Sequence, residues 1–268
     1  MAPQPTELAL APGGMPLVGG LARPSSLVND PLSCGLLAVL SAAARRWIVD
    51  VRGIEYIRAA HDPFIVAINH STRIEVLLAS AMMIEHRAGR LIHFLADWNY
   101  RLIPGIGMIY RCAQTISVMR KPARPAILNL LKPLYTPAYG PLHRATDTLR
   151  AGSSVGIFPE GKINTDRRRL MPGFRGAAYL SIKTGVPIVP VGIRFPDAPP
   201  DFPVSDFAAM EIFIGAPMTP PRAEVARPTR GGVHNWHAAM MGEIGRLSGK
   251  TWTNSSVERA SATAGDRQ

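Results

Sequence analysis

The run Phe64-Ile65-Val66-Ala67-Ile68 limits what this chain can fold into more than any other stretch. It is continuously apolar and rich in β-branched residues, with no polar position to face water. Such a run fits a strand covered on both faces, as in the middle of a parallel sheet. It ends at Asn69-His70-Ser71, and the next apolar positions (Ile74, Val76, Leu77, Leu78, Ala81, Met82) follow a helical rhythm. Polar residues therefore sit where a buried strand hands over to a helix. Open α/β sheets bind ligands beside strand ends of this kind. Ser71 or Thr72 is the expected helix cap, with Glu75 in about the first turn.

The same alternation recurs along the chain. Strands are expected at 91–96, 115–119, 154–158, 186–193 and 211–214, and helices at 32–47, 143–151, 174–183 and 233–247. Trp47 to Ile57 reads as a short strand or hairpin around Gly53. Pro104-Gly105-Ile106-Gly107 reads as a turn, and the five prolines of 121–141 punctuate the backbone there. The fold class is α/β: a mixed, mostly parallel sheet flanked by helices. The expected organisation is a flexible arm over 1–28, one domain over 29–250 and a disordered tail over 251–268.

Composition narrows the partners. The chain has 268 residues, 47% hydrophobic and 18% charged, with a formal net charge of +11. Mean hydropathy is +0.08. Such a basic, greasy chain draws anions, and an anionic membrane surface suits it. The apolar stretch within 32–49, interrupted by Arg45 and Arg46, reads as a membrane-facing helix or, more plainly, as a helix packed on the core. It is shorter than the roughly 18 apolar residues a span needs. No zinc-finger spacing and no basic run interleaved with aromatics is present, so nucleic acid is not an expected partner. Cys34 and Cys112 make neither a disulfide framework nor a metal motif. The first residues lack the pattern of a secretory signal. A cytoplasmic location, peripheral on the inner face of the cell membrane, is the expectation.

His70 and Glu75 form the sharpest chemical pair. A carboxylate five positions after an imidazole can reach back across the start of a helix. It would hold one ring nitrogen, fix the tautomer and leave the other nitrogen to take a proton. A capping histidine with an incidental glutamate is the plainer reading of the same residues. No Gly-x-Ser-x-Gly elbow offers a nucleophile, so direct activation of an acceptor by His70 is the chemistry left. A second marker is Phe158-Pro159-Glu160-Gly161, a strand ending in a proline-locked turn. Lys162, Arg167-Arg168-Arg169, Arg175 and Arg120 supply cations suited to phosphate oxygens.

Taken together, these blocks resemble the lysophosphatidic acid acyltransferases, the PlsC-like glycerolipid acyltransferase family. Asn69-His70-Ser71-Thr72-Arg73-Ile74-Glu75 is similar to its Asn-His-x4-Asp motif. Thr115 to Arg120, Phe158 to Gly161, and Leu170 to Ala178 followed by Val186 to Val191 match further blocks in order. Gly215-Ala216-Pro217 falls at a late Gly-x-Pro, and the likeness covers about 47–220. The resemblance implies an acyltransferase (EC 2.3.1 type) that binds no cofactor and takes acyl-CoA or acyl-carrier protein as donor. It implies His70 as general base oriented by Glu75, and an acceptor site that includes Arg120 and Glu160; Gly161, Lys162 and Arg175 are further expected acceptor or phosphate contacts beside them. The acceptor would be a lysophospholipid such as 1-acylglycerol-3-phosphate.

Three departures stand out. Glu75 replaces an aspartate, Gln114 replaces a glycine, and Lys162-Ile163-Asn164 replaces Thr-Arg-Ser. They keep two alternatives open: a non-glycerolipid acceptor such as a sugar, an amine or a specialised-metabolite scaffold, or an inactive lipid-binding module. Oxyanion donors are expected among backbone N–H groups near the helix start or around Gly161.

Overall fold

The computed structural model describes residues 28, 30–122, 126–198 and 203–253. Within them lie seven strands: β1 (Ile48–Arg52), β2 (Ile65–Ile68), β3 (Ile92–Asp97), β4 (Ile116–Val118), β5 (Ser154–Ile157), β6 (Ile188–Arg194) and β7 (Met210–Ile214). The α-helices are α1 (Pro31–Trp47), α2 (Glu75–His86), α3 (Ile106–Cys112), α4 (Lys132–Tyr135), α5 (Pro141–Arg150), α6 (Gly176–Thr184), α7 (Arg222–Ala226) and α8 (Arg230–Ser248).

The strands form one sheet in the order β1-β7-β6-β2-β5-β3-β4. All neighbours are parallel except β6 and β7. The expected mixed, mostly parallel α/β sheet is therefore present. β2 lies at its centre, with Ile65 registered against Val155 on one side and Ile188 on the other. Its residues divide the core by alternation. Val66 and Ile68 pack into the layer with Leu78, Met82 and Met83 of α2. Ile65 and Ala67 pack into the opposite layer with Leu149, Ala178 and Ile244 of α5, α6 and α8. A strand serving two cores must be apolar at every position, which accounts for the unbroken run.

The structure corrects several local expectations. β1 has no hairpin partner next to it: it pairs with β7, far along the chain. Gly53 follows it at φ 77, where a Cβ would lie 2.0 Å from the Ile214 carbonyl oxygen. Only glycine lets the backbone turn away at that contact. The membrane-facing helix expected to reach residue 49 ends at Trp47, because Ile48 and Val49 join β1. The turn at 104–107 opens into α3, whose N-terminus follows Gly105 at φ 81. Gln114 has φ 48, a left-handed backbone that suits the glycine it replaces. α2 begins at Glu75 rather than at Ser71 or Thr72, although the Glu75 amide still donates to Thr72 Oγ1 at 3.3 Å. The tail expected from 251 is tied in at its start: Thr251 donates to the Arg168 carbonyl at 2.7 Å and accepts from the Leu170 amide at 2.8 Å. Residues 254–268, and 1–27 of the expected arm, lie outside the described residues.

Candidate active site

β2, β5 and β6 run parallel, and their C-terminal ends share one edge of the sheet. Asn69 closes β2 there. It is fully buried, and its amide pairs with the backbone of Ile193 in β6, accepting at 2.7 Å and donating at 3.2 Å. This clamp fixes the strand end from which His70 projects.

His70 is part-exposed, and its Nδ1 lies 2.9 Å from Glu75 Oε1. The same oxygen accepts a very short hydrogen bond from the Ser71 amide. Glu75 has no exposed surface, and its Oε2 has no hydrogen-bond partner among the described residues. Burial pushes its carboxyl pKa up, against the opposing pull of the His70 hydrogen bond and charge. The Phe158 ring packs on the imidazole with centroids 5.0 Å apart. No hydrogen bond from a described residue reaches His70 Nε2.

The backbone of His70 is held in a closed ring. Its N–H donates to Glu160 Oε1 at 3.1 Å, and its carbonyl accepts from the Asn164 amide at 2.7 Å. Asn164 Nδ2 closes the ring on Glu160 Oε2 at 2.6 Å, and that oxygen also accepts from the Met171 amide at 2.9 Å. Glu160 is buried, and its carboxylate serves the protein's own donors. Asn164 could not be singled out from the sequence. Its only signal was that an amide stands where the resembling family has a serine.

The remaining expected residues form a rim. The Arg120 guanidinium lies 4.0 Å over the Phe174 ring. Phe174 in turn covers Gly161, where a Cβ would lie 2.4 Å from its Cε2 and φ is 67. Lys121 donates to the Gly161 carbonyl at 3.3 Å and pairs with Asp97 at 2.8 Å. Arg120, Gly161 and Phe174 are thus brought together. Lys162 and Arg175 are exposed and make no ion pair among the described residues. The expected oxyanion donors are largely committed: the amides of His70, Ser71 and Gly161 donate to Glu160, Glu75 and the Phe158 carbonyl. No group of three or more His, Cys, Asp or Glu side chains is arranged to hold a metal among the described residues.

A family model described as acyltransferase matches residues 48–194, more than half of the chain, and the match includes every site residue named above. The chain belongs to the PlsC-like acyltransferase family. A chloroplastic 1-acyl-sn-glycerol-3-phosphate acyltransferase of Brassica napus is 26% identical over 142 residues, covering 53% of this chain and 36% of the relative. A second, from Arabidopsis thaliana, is 24% identical over 143 residues, covering 53% and 35%. The chain therefore spans about a third of the length of these curated relatives in the matched region. The crystal structure of the 1-acyl-sn-glycerophosphate acyltransferase PlsC from Thermotoga maritima superposes with a TM-score of 0.54 at 18% identity, covering 82% of each chain. That likeness is one of fold. The His-x4-Glu spacing of this chain keeps the motif position while lengthening its carboxylate side chain.

Proposed function

We propose that this acyltransferase moves a fatty acyl group from acyl-CoA or acyl-carrier protein to a hydroxyl of a lysophospholipid such as 1-acylglycerol-3-phosphate. The observation that carries the reading is the buried Glu75 carboxylate on His70 Nδ1, with Nε2 left without a protein partner. His70 Nε2 takes the hydroxyl proton as the oxygen attacks the thioester carbonyl. Glu75 fixes the tautomer and faces the imidazolium that forms. The tetrahedral intermediate expels the thiolate, which leaves as thiol with the proton returned from His70. The protein forms no acyl intermediate and needs no bound cofactor for these steps. Arg120, Lys162 and Arg175 supply cations for the acceptor phosphate, and Glu160 and Gly161 shape the floor beneath it.

The surface around the site supports a lipid acceptor delivered from an anionic membrane. Trp98 and Lys121 follow β3 and β4 at the sheet edge that carries His70. Tyr135 packs on Trp98 with ring centroids 6.1 Å apart, which places the 126–142 segment at this end. Ile127, Leu130 and Leu134 of that segment are 69%, 78% and 79% exposed. α1 likewise buries Ser33, Ser41 and Ala44 and turns Leu32 and Val39 outward. Such surfaces suit an interface more than bulk water. The contact proposed is peripheral, on the cytoplasmic face; no helix of the described residues is long and apolar enough to cross a membrane.

An acceptor panel tests the reading. Thiol release from palmitoyl-CoA is followed with 1-acylglycerol-3-phosphate, with monoacylglycerol, and with sugar and amine acceptors, in the wild type and in His70→Ala. The expected result is His70-dependent release that is fastest with the phosphorylated acceptor. Ile163, at a position where the resembling family carries arginine, favours a second reading with a phosphate-free acceptor. Faster reaction of the phosphate-free acceptors would establish that second reading instead.

A further inference from the structure

Lys250 lies just beyond α8, 180 positions from His70, yet it reaches the dyad. Gly249 ends α8 at φ 70, and the Lys250 amide caps the helix by donating to the Gly245 carbonyl at 3.0 Å. Thr251 is then pinned to Arg168 and Leu170, so the backbone on both sides of Lys250 is fixed. Its Nζ donates to Ser71 Oγ at 3.1 Å and to the Asp166 carbonyl at 2.8 Å. Ser71 is the residue between His70 and the turn, and its amide donates to Glu75 Oε1. The ammonium thus bonds the hydroxyl of the same residue whose amide holds the Glu75 carboxylate.

The charges around this ammonium are the carboxylates of Glu75, Glu160 and Asp166 and the Arg167 guanidinium. Burial lowers the Lys250 pKa, while Glu160, Glu75 and Asp166 pull it back up and Arg167 lowers it further. Asp166 is itself occupied with the amides of Arg168 and Arg169. Glu160 sits under the His70 backbone. Glu75 is therefore the carboxylate with an orphaned oxygen in this group. A buried carboxylate in that state is costly unless a positive charge faces it.

We propose that Lys250 is a positioning residue for the His70–Glu75 pair: its ammonium, anchored between Ser71 and Asp166, is the fixed positive charge that keeps the buried Glu75 carboxylate ionised. The proposal rests on the reading of this pair as the reacting one. Lys250 is assigned no contact with substrate. It acts through Ser71 and through the field at Glu75. With the cation removed, the His70–Glu75 pair takes up a proton more readily and loses its base form at a higher pH. The prediction concerns the apparent midpoint of the pair rather than of either residue alone.

The test uses the full chain with isotopically labelled histidine, and His70→Ala assigns the His70 ring signals. The variants are Lys250→Met, Lys250→Gln, which keeps a donor without the charge, and Lys250→Arg, which keeps the charge. The apparent midpoint at His70 is read by NMR titration, and the acid limb of kcat/KM is read from thiol release with palmitoyl-CoA and 1-acylglycerol-3-phosphate. Both neutral variants are expected to raise the midpoint by about 0.5–1 pH unit, a Coulomb effect of reasonable size at protein-like dielectric. Lys250→Arg is expected to stay near wild type. A midpoint unchanged in folded Lys250→Met and Lys250→Gln would overturn the proposal, as would an arginine variant that shifts as far as methionine. Failure of the acyl-transfer reading has a different signature: a wild type with no His70-dependent thiol release, for which the NMR midpoints still decide the role of Lys250.

Discussion

His70 and Glu75 stand five residues apart and meet at 2.9 Å across a turn that precedes α2, with Glu75 itself the first residue of that helix. The pair thus joins the end of the central strand to the start of the helix that covers it. The Glu75 side chain must fold back from the helix start to collect both the imidazole and the Ser71 amide. The additional methylene supplies the length for that double contact.

Shortening the side chain should therefore weaken the enzyme even though aspartate is the residue of the motif it resembles. Glu75→Asp pulls the carboxylate back by roughly an ångström, enough to cost on the order of 10²-fold in rate when it frees the ring to turn. Glu75→Gln should cost at least as much, because it also removes the charge opposite the imidazolium. His70→Ala should abolish turnover. The check is kcat/KM for acyl transfer in the four proteins, with folding followed by circular dichroism. Near wild-type activity in Glu75→Gln would sink the dyad.

The same burial has a stability consequence of opposite sign. Burial raises the Glu75 pKa, so the folded protein holds the carboxyl proton more tightly than the unfolded chain. The neutral carboxyl costs nothing below the unfolded carboxylate range, and ionisation penalises the fold as pH rises through the folded value. Glu75→Gln escapes that penalty. Its amide leaves buried hydrogens without partners, but that loss is independent of pH. The melting temperature of Glu75→Gln minus that of wild type should therefore increase from pH 4 to pH 8. A difference that is flat across this range would contradict the raised pKa.

Much of the fold was legible from the sequence because β2, β5 and β6 are buried on both faces and so carry largely apolar runs. The dyad was legible because both members lie in one local segment. The pairing of β1 with β7 was hidden, since strand pairing between distant segments leaves no local pattern. α3 was hidden behind the glycine and proline that precede it. Asn164 and Lys250 were hidden for the same reason as β1. Each contributes through a contact with a segment distant in sequence, and an asparagine or lysine in a loop carries no periodicity to mark it.

A buried cluster at the opposite end of the sheet should govern stability without touching the chemistry. Asp62 precedes β2 and holds Arg87 at 2.7 and 2.8 Å, along with Arg90 and the Ser154 hydroxyl that opens β5. The Arg87 side chain has no exposed surface. Removing one partner of a buried pair typically costs about 3–5 kcal/mol, because the other charge is left uncompensated. Asp62→Ala should lower the urea midpoint accordingly, while molecules that remain folded keep a wild-type KM. A midpoint within error of wild type would show that Arg87 finds another partner.

The exposed strip over the site end of the sheet should bind anionic membranes. Ile127, Leu130, Leu131 and Leu134 recur at the spacing of one helical face, the pattern that normally points into a core. Here Leu130 and Leu134 are 78% and 79% exposed. Arg120, Lys121 and Lys132 lie near them in sequence. Inserting two leucines into an interface is worth on the order of 2 kcal/mol even when burial is partial. Serine at both positions should therefore reduce the affinity for vesicles containing phosphatidylglycerol by roughly thirtyfold, read by co-sedimentation, and added salt should weaken what remains by screening. Because both side chains face outward, the double variant should melt with wild type. Leu32→Ser with Val39→Ser tests the outward face of α1 in the same way. A larger loss from the α1 pair than from the strip would move the principal contact to α1. Equal binding by wild type and both double variants, or no binding by any of them, would refute a membrane role for these surfaces.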